Sequence, residues 1–262
     1  MHRIPRDLVR HLEWAPGSAQ PPAIVPPSAP VLSPGAFNVY KHHDDRYIIS
    51  PVLYRGELYQ VSLGADLLDG GKKHTQDQWV DALQGTEWRL PSAPLMLGLL
   101  STLYSVRDGT DASLVAEVQE KLKKDFKDLW MMTGTRIKYA TNGLDTVLHE
   151  YRSPEEYSLE APILGPDGWV TPSCEYGPSI DALLETTDLA ALESVSEWAS
   201  GKKPYLWRVN NTPSSEVQRA LVLGVVSSDG FFIDANYSID GSRPARGVAV
   251  QKISGSPTGV PR

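Results

Sequence analysis

Tyr205 to Val250 reads YLWRVNNTPSSEVQRALVLGVVSSDGFFIDANYSIDGSRPARGVAV, and the rest of the chain is organised around it. Arg219 to Val226 is apolar and rich in branched residues, as a buried strand should be. Ser228-Asp229-Gly230 is a turn signal, Phe231-Phe232-Ile233 predicts a second strand, and Arg246 to Val250 a third. Between the last two lies a polar loop, Asp234 to Ser242, carrying Tyr237. Strict alternation would put Phe231 and Ile233 on one face and Phe232 on the other. At least one of the two phenylalanines is therefore expected outside, where with Tyr237 it would form an apolar interaction patch.

The stretch is unusual in what it lacks. Lys, Glu, Gln, Met and Trp make up 44 of the 262 residues. A 32-residue window should hold about five of them by composition alone, yet Arg219 to Val250 has none. Strands and Gly/Ser/Asp turns under-use these residues, which is one explanation.

Working outward, 262 residues suffice for one large domain or two small ones, with an ample core. Hydrophobic residues at 41% and charged residues at 22% describe an ordinary globular chain. A net charge of −7 without a long Lys/Arg run argues against nucleic acid as the main partner. The single cysteine, Cys174, excludes an intrachain disulfide framework and a multi-cysteine metal site. Met1 to Trp14 lacks the apolar segment of a secretory signal, and no run is long enough for membrane insertion. A role at a surface, such as a virion surface, would need a particle or partner to carry the chain there.

Residues 5–14 predict a short helix, and Pro16 to Pro34 holds seven prolines, an extended strap rather than a helix or sheet. Asn38 to Ser62 predicts two or three strands turning at Arg55-Gly56. His42-His43-Asp44-Asp45 is rich in metal ligands, but neighbours in an extended chain point apart. Thr75-Gln-Asp-Gln78 fits a capping box, and Ser92 is placed to cap an apolar helix over Leu95 to Tyr104. Asp111 to Trp130 is amphipathic, and Asn142-Gly143 marks a hairpin between 135–140 and 145–151. A final helix is expected over about Ile180 to Trp198.

No catalytic signature stands out: G-x-S-x-G, Walker, G-x-G-x-x-G and H-E-x-x-H patterns are missing. His149-Glu150 in a strand should diverge as a surface pair. Asp234, Asn236, Ser238 and Asp240 alternate like calcium-loop ligands. Counting from Asn236, however, the bidentate glutamate of an EF-hand would fall at Gly247.

Thr75-Gln-Asp-Gln-Trp79 followed by Glu87-Trp-Arg-Leu-Pro91 and a helix resembles the W-R-L-P segment of a bacterial and viral branch of the C-type lectin fold. In that branch the C-terminal part runs from a W-s-s strand, through an apolar strand and a polar loop, to R-x-x-G-x-x-V. Leu206-Trp-Arg-Val-Asn-Asn211, Arg219 to Gly224 and Arg243 to Val250 take those places here. Arg208-Val209 replaces the small serines, and the helix and hairpin at 111–151 have no counterpart in short members. The segment is similar to the variable proteins of diversity-generating retroelements, which mutate template adenines, largely in asparagine codons ending in a pyrimidine. Such codons cannot become Lys, Glu, Gln, Met or Trp, the five types missing from the window.

The resemblance implies an α+β, C-type lectin-like fold with a helix-hairpin insertion and a Pro-rich N-terminal strap. The strap covers 1–37, the lectin-like domain 38–254 and a tail 255–262. The insertion would span about 108–178 and the variable ligand-binding region about 205–250. It further implies binding of a protein or glycan on a target cell without catalysis, metal or cofactor. The binding residues would be Arg208, Asn210, Asn211, Ser227, Ser228, Asp229, Phe231, Phe232, Asp234, Asn236, Tyr237, Ser238, Asp240 and Ser242. Tyr and Phe supply contact area at low entropic cost, and Ser, Asn and Asp adaptable hydrogen bonds. A viral assembly protein would use the same surface for a fixed contact, as in a homo-oligomer. An oxidase similar to the sulfatase-activating enzymes would need a cysteine pair that Cys174 alone does not supply.

Overall fold

A computed structural model describes residues 37–43, 45–163, 168–173, 176–208, 213–226 and 230–253. The helix expected at 5–14, the proline strap, the C-terminal tail, Cys174, Asn210, Asn211, Ser227, Ser228 and Asp229 lie outside them.

The fold is a mixed α+β arrangement of two sheets with five helices among the described residues. A hairpin begins it: β1 (Asn38–His42), β2 (Arg46–Tyr54) and β3 (Glu57–Gly64) pair antiparallel in order. The β2–β3 turn is Arg55-Gly56, both at positive φ (54° and 70°), which matches the twist of the flanking strands. Pro51 cannot donate to a ladder, and the register shifts where it sits, between Ile49 and Val52.

Helix α1 (Gln76–Leu83) opens on the expected capping box: Gln78 N–H donates to Thr75 Oγ1 at 3.2 Å and Thr75 N–H to Gln78 Oε1 at 2.9 Å. Helix α2 (Ala93–Ser105) lies against β2 and is apolar nearly all round. Ser92 stands at its N-cap position, but its hydroxyl does not cap; Thr135 Oγ1 accepts from Ala93 N–H instead, at 2.9 Å.

Helix α3 (Ala112–Leu129) is followed by β4 (Met131–Tyr139), β5 (Asp145–His149), β6 (Tyr157–Ala161) and β7 (Gly168–Val170). The single helix expected over 180–198 is two, α4 (Gly177–Leu184) and α5 (Leu189–Ser200). Glu185 turns left-handed at φ 50°, and the Asp188 side chain restarts the helix by accepting from Ala191 N–H. Last come β8 (Pro204–Arg208), β9 (Val217–Val226), β10 (Gly230–Ser238) and β11 (Val248–Lys252).

The sheet orders are β1-β2-β3-β11 and β6-β5-β4-β9-β10-β8-β7. The third strand of the C-terminal stretch thus leaves β9 and β10 and closes the N-terminal sheet, Val250 opposite Val61. The helix and hairpin expected as an addition to the core are built into it. Val118, Leu122 and Phe126 of α3 are buried there, and β4 lies between β5 and β9.

One core gathers residues of both sheets and of α2, α3, α4 and α5. A second, smaller one (Trp79, Leu90, Met132, Ala220, Val222, Ala245) covers the opposite face of β4 and β9. Being covered on both faces is why β9 reads as a continuous apolar run. Arg246, in the loop before β11, is buried and donates to Asp125 of α3 through Nε (2.9 Å) and Nη2 (2.6 Å).

Candidate functional site

Of the residues expected to bind, Ser227, Ser228 and Asp229 lie outside the described residues; β10 begins at Gly230, opposite Val226 of β9. At its finish lie Asn236, Tyr237 and Ser238, six to eight residues after Gly230, roughly 20–27 Å away at strand spacing. Arg208 ends β8, which runs parallel to β10 with Trp207 beside Asp234, so its backbone stands at this second end.

The alternation along the strand is as expected, but neither phenylalanine is outside. Phe231 packs edge-on to Phe126 at 5.1 Å in the main core, with Ile233 and Ala235. Phe232 faces the other way and is still only 3% exposed. Trp130 stacks on it at 6.1 Å with planes 7° apart, and Tyr205 lies 5.7 Å away. Trp130 reaches this face because Gly224 leaves room; a Cβ there would lie 2.6 Å from its ring. The phenylalanine expected outside beside Tyr237 is therefore buried, because a second layer covers that side of the sheet.

Beyond the phenylalanines the side chains do gather. Asp234 accepts from Asn236 N–H at 2.8 Å, and Asn236 Oδ1 accepts from Arg219 Nε at 2.9 Å. Burial pushes the Asp234 carboxyl up to about 6, opposed by that amide and by the Arg243 cation. A register shift between Asp234 and Tyr237 re-aims the strand end. Tyr237 is half-buried beneath the Arg243 guanidinium, 4.7 Å from its ring centre, and its hydroxyl points to Ser242 O. Ser238 and Asp240 are exposed, with Asp240 N–H donating to Ser238 Oγ at 3.3 Å. Among the described residues no three His, Cys, Asp or Glu side chains are grouped as a metal would require.

A second place was not marked in the sequence. His149 and Glu150 diverge, but both turn inward rather than to the surface. His149 is fully buried, with Nδ1 3.0 Å from Thr135 Oγ1 and Nε2 2.9 Å from Ala182 O. Burial lowers its pKa to about 4, so the ring is neutral, donating from Nε2 to the carbonyl. Glu150 leaves β5 in the left-handed region, φ 53°. Its Oε1 accepts from Tyr54 (2.9 Å) and from Ser92 (2.8 Å), the hydroxyl that does not cap α2. Its Oε2 lies 3.2 Å from Arg89 Nε, and neither atom makes an aligned hydrogen bond. Burial raises the Glu150 pKa, with the Arg89 charge the main opposing influence.

Arg89 and Glu150 line a cleft of about 650 Å³ whose walls include Leu83, Trp88, Arg152 and Val250. Glu150 Oε2 and Arg89 Nε are buried against each other, and the accessible polar groups of the cleft are those of Glu87, Glu155 and Arg152, within partly apolar walls. The only sequence signal for it was Trp88-Arg89 within the W-R-L-P segment; nothing local to His149-Glu150 announces burial. Comparison with protein-family models, curated proteins and solved structures finds no match to this chain.

Proposed function

We propose that the protein is a non-catalytic ligand-binding protein, a C-type lectin-like scaffold presenting diversified side chains to a protein or glycan on a target cell. Recognition is centred on the finish of β10. The observation that carries this reading is the contrast along one strand: Phe231 to Ile233 and Ala235 are buried, whereas Asn236 to Ser238, Asp240 and Ser242 are half-exposed or exposed. A rigid base with adaptable polar side chains and a tyrosine at its rim is the chemistry of a paratope. The absence of Lys, Glu, Gln, Met and Trp from Arg219 to Val250 supports a history of adenine-directed change.

Sequencing the DNA that flanks the gene tests this. The reading expects a second, near-identical copy of codons 205–250, with asparagine codons opposite Tyr237, Ser238, Asp240 and Ser242. Burial makes one further demand: codons for Phe231, Ile233, Ala235, Leu221 and Leu223 should be identical in both copies. No copy, or differences spread evenly over buried and exposed codons, would overturn the reading and leave a module with one fixed partner.

A further inference from the structure

Strand β11 has two edges, and only one is taken by β3. Gly64 N–H donates to Gly247 O at 3.0 Å and Ile253 N–H to Leu58 O at 2.9 Å. In an antiparallel ladder this phase assigns the β3-facing bonds to residues 247, 249, 251 and 253. The N–H and C=O groups of Val248, Val250 and Lys252 therefore point the other way. Those of Val248 meet Arg89 in a two-bond bridge, both N···O distances 2.9 Å. The bridge shows that this edge accepts a strand.

It then stops. Residues 84–87 form a turn, with Gly85 at φ 77° and Thr86 N–H bonded back to Leu83 O, rather than continuing the bridge along β11. Among the described residues no other segment pairs with β11 on this side. Val250 consequently presents its backbone groups beside the cleft that it lines with Trp88, Arg89 and Glu150.

We propose that this cleft binds a short extended peptide as an added strand on β11 at Val250, with a Lys or Arg side chain entering the cleft. Backbone pairing supplies affinity and the pocket supplies selectivity. The charge preference follows from the lining: Glu87, Glu150 and Glu155 outnumber Arg89 and Arg152. Both arginines are already engaged, Arg89 by Glu150 and Glu155, and Arg152 by Asp77 and Asp81. The carboxylates are paired too, Glu87 with Arg46 and Glu155 with Arg89, and Glu150 is buried. Glu87 and Glu155 nevertheless keep 56% and 58% of their side chains exposed, against 22% for Arg89 and 46% for Arg152, so an incoming cation meets the more accessible charge. None of the residues at the recognition end of β10 takes part, so this site and that one succeed or fail separately.

The test uses the full chain and capped pentapeptides of alternating Thr and Val with Lys, Ser or Glu at the centre, titrated by amide NMR. The Lys peptide should bind about tenfold tighter than the Glu peptide, equivalent to one charge-assisted contact. N-methylation of one alternate set of peptide amides should abolish binding, and of the other set leave it unchanged. Val250→Pro removes only an outward N–H and no β3 bond, and should weaken binding about tenfold. Glu155→Gln, at an exposed carboxylate, should narrow the gap between the Lys and Glu peptides. The proposal is overturned if none of the peptides binds at about millimolar concentration, the affinity of a weak contact. It is equally overturned if both methylated sets bind alike or if shifts map away from Val250 and Trp88.

Discussion

Two buried side chains bias the pH dependence of the fold with opposite sign. His149 is held neutral, its pKa lowered from 6.5 to about 4 by burial. Its contribution is complete above pH 6.5 and is lost as pH falls through the folded value, because the unfolded chain takes up the proton first. About 3 kcal/mol should disappear between pH 6.5 and 4. His149→Gln should be less stable at neutral pH yet show a flatter profile across that window, measured by urea midpoints. Asp234 is the reverse case: its pKa is raised from 3.8 to about 6, chiefly by burial. Its stabilising contribution is present below pH 3.8 and lost as pH rises through 6. Asp234→Asn keeps an acceptor for Asn236 N–H and should gain about 2 kcal/mol over the parent at pH 7, with no gain at pH 3.5. An unchanged midpoint at pH 7 would count against a buried carboxylate.

Close approach between elements is where glycine matters. Gly98 of α2 faces β2, and a Cβ there would lie 2.7 Å from Leu53 O, a backbone atom that cannot swing aside. Alanine favours a helix by about 1 kcal/mol over glycine, but overpacking costs about 1–3 kcal/mol, and the clash should win. Gly98→Ala is expected to lower Tm. Gly177→Ala, at the start of α4 with nothing within 4 Å, should leave it level or raise it. Equal shifts in the two variants would sink the packing argument.

Elements with local chemistry were legible in the sequence: the Thr75 capping box, the Arg55-Gly56 turn, the apolar run of β9. What was not legible depends on distant partners. Phe232 had the right face, but its cover is Trp130, about a hundred residues earlier, admitted by Gly224. The inward turn of Glu150 rests on one left-handed residue and on hydroxyls from Tyr54 and Ser92. The divided helix at 177–200 was hidden because Glu185 to Asp188 does not interrupt the apolar pattern with Gly or Pro.

At the scale of the molecule, Arg246 binds the C-terminal loop to the scaffold. Its guanidinium and Asp125 are 4% and 8% exposed, and it also donates to Gly64 O. Burial raises the Asp125 pKa, with the Arg246 charge pulling it back. Removing one partner leaves a buried charge, so Arg246→Ala should cost about 3–5 kcal/mol, while Arg246→Met with Asp125→Leu should recover most of it. A calorimetric comparison of the two variants decides this; equal losses would mean the pair contributes specific bonds rather than charge balance.

The closure of the first sheet by β11 also governs how the chain is made. Val61 and Val250 are neighbours in space but almost two hundred residues apart along the polypeptide. Loop-closure entropy makes so distant a pairing slow. A nascent chain emerging from the ribosome would hold β1, β2 and β3 as a hairpin ribbon with a bare edge until Val248 to Lys252 followed. That edge is a template for pairing with a neighbouring chain. Synthesis that stalls or ends anywhere before Val248 should therefore yield aggregates rather than a soluble shorter domain.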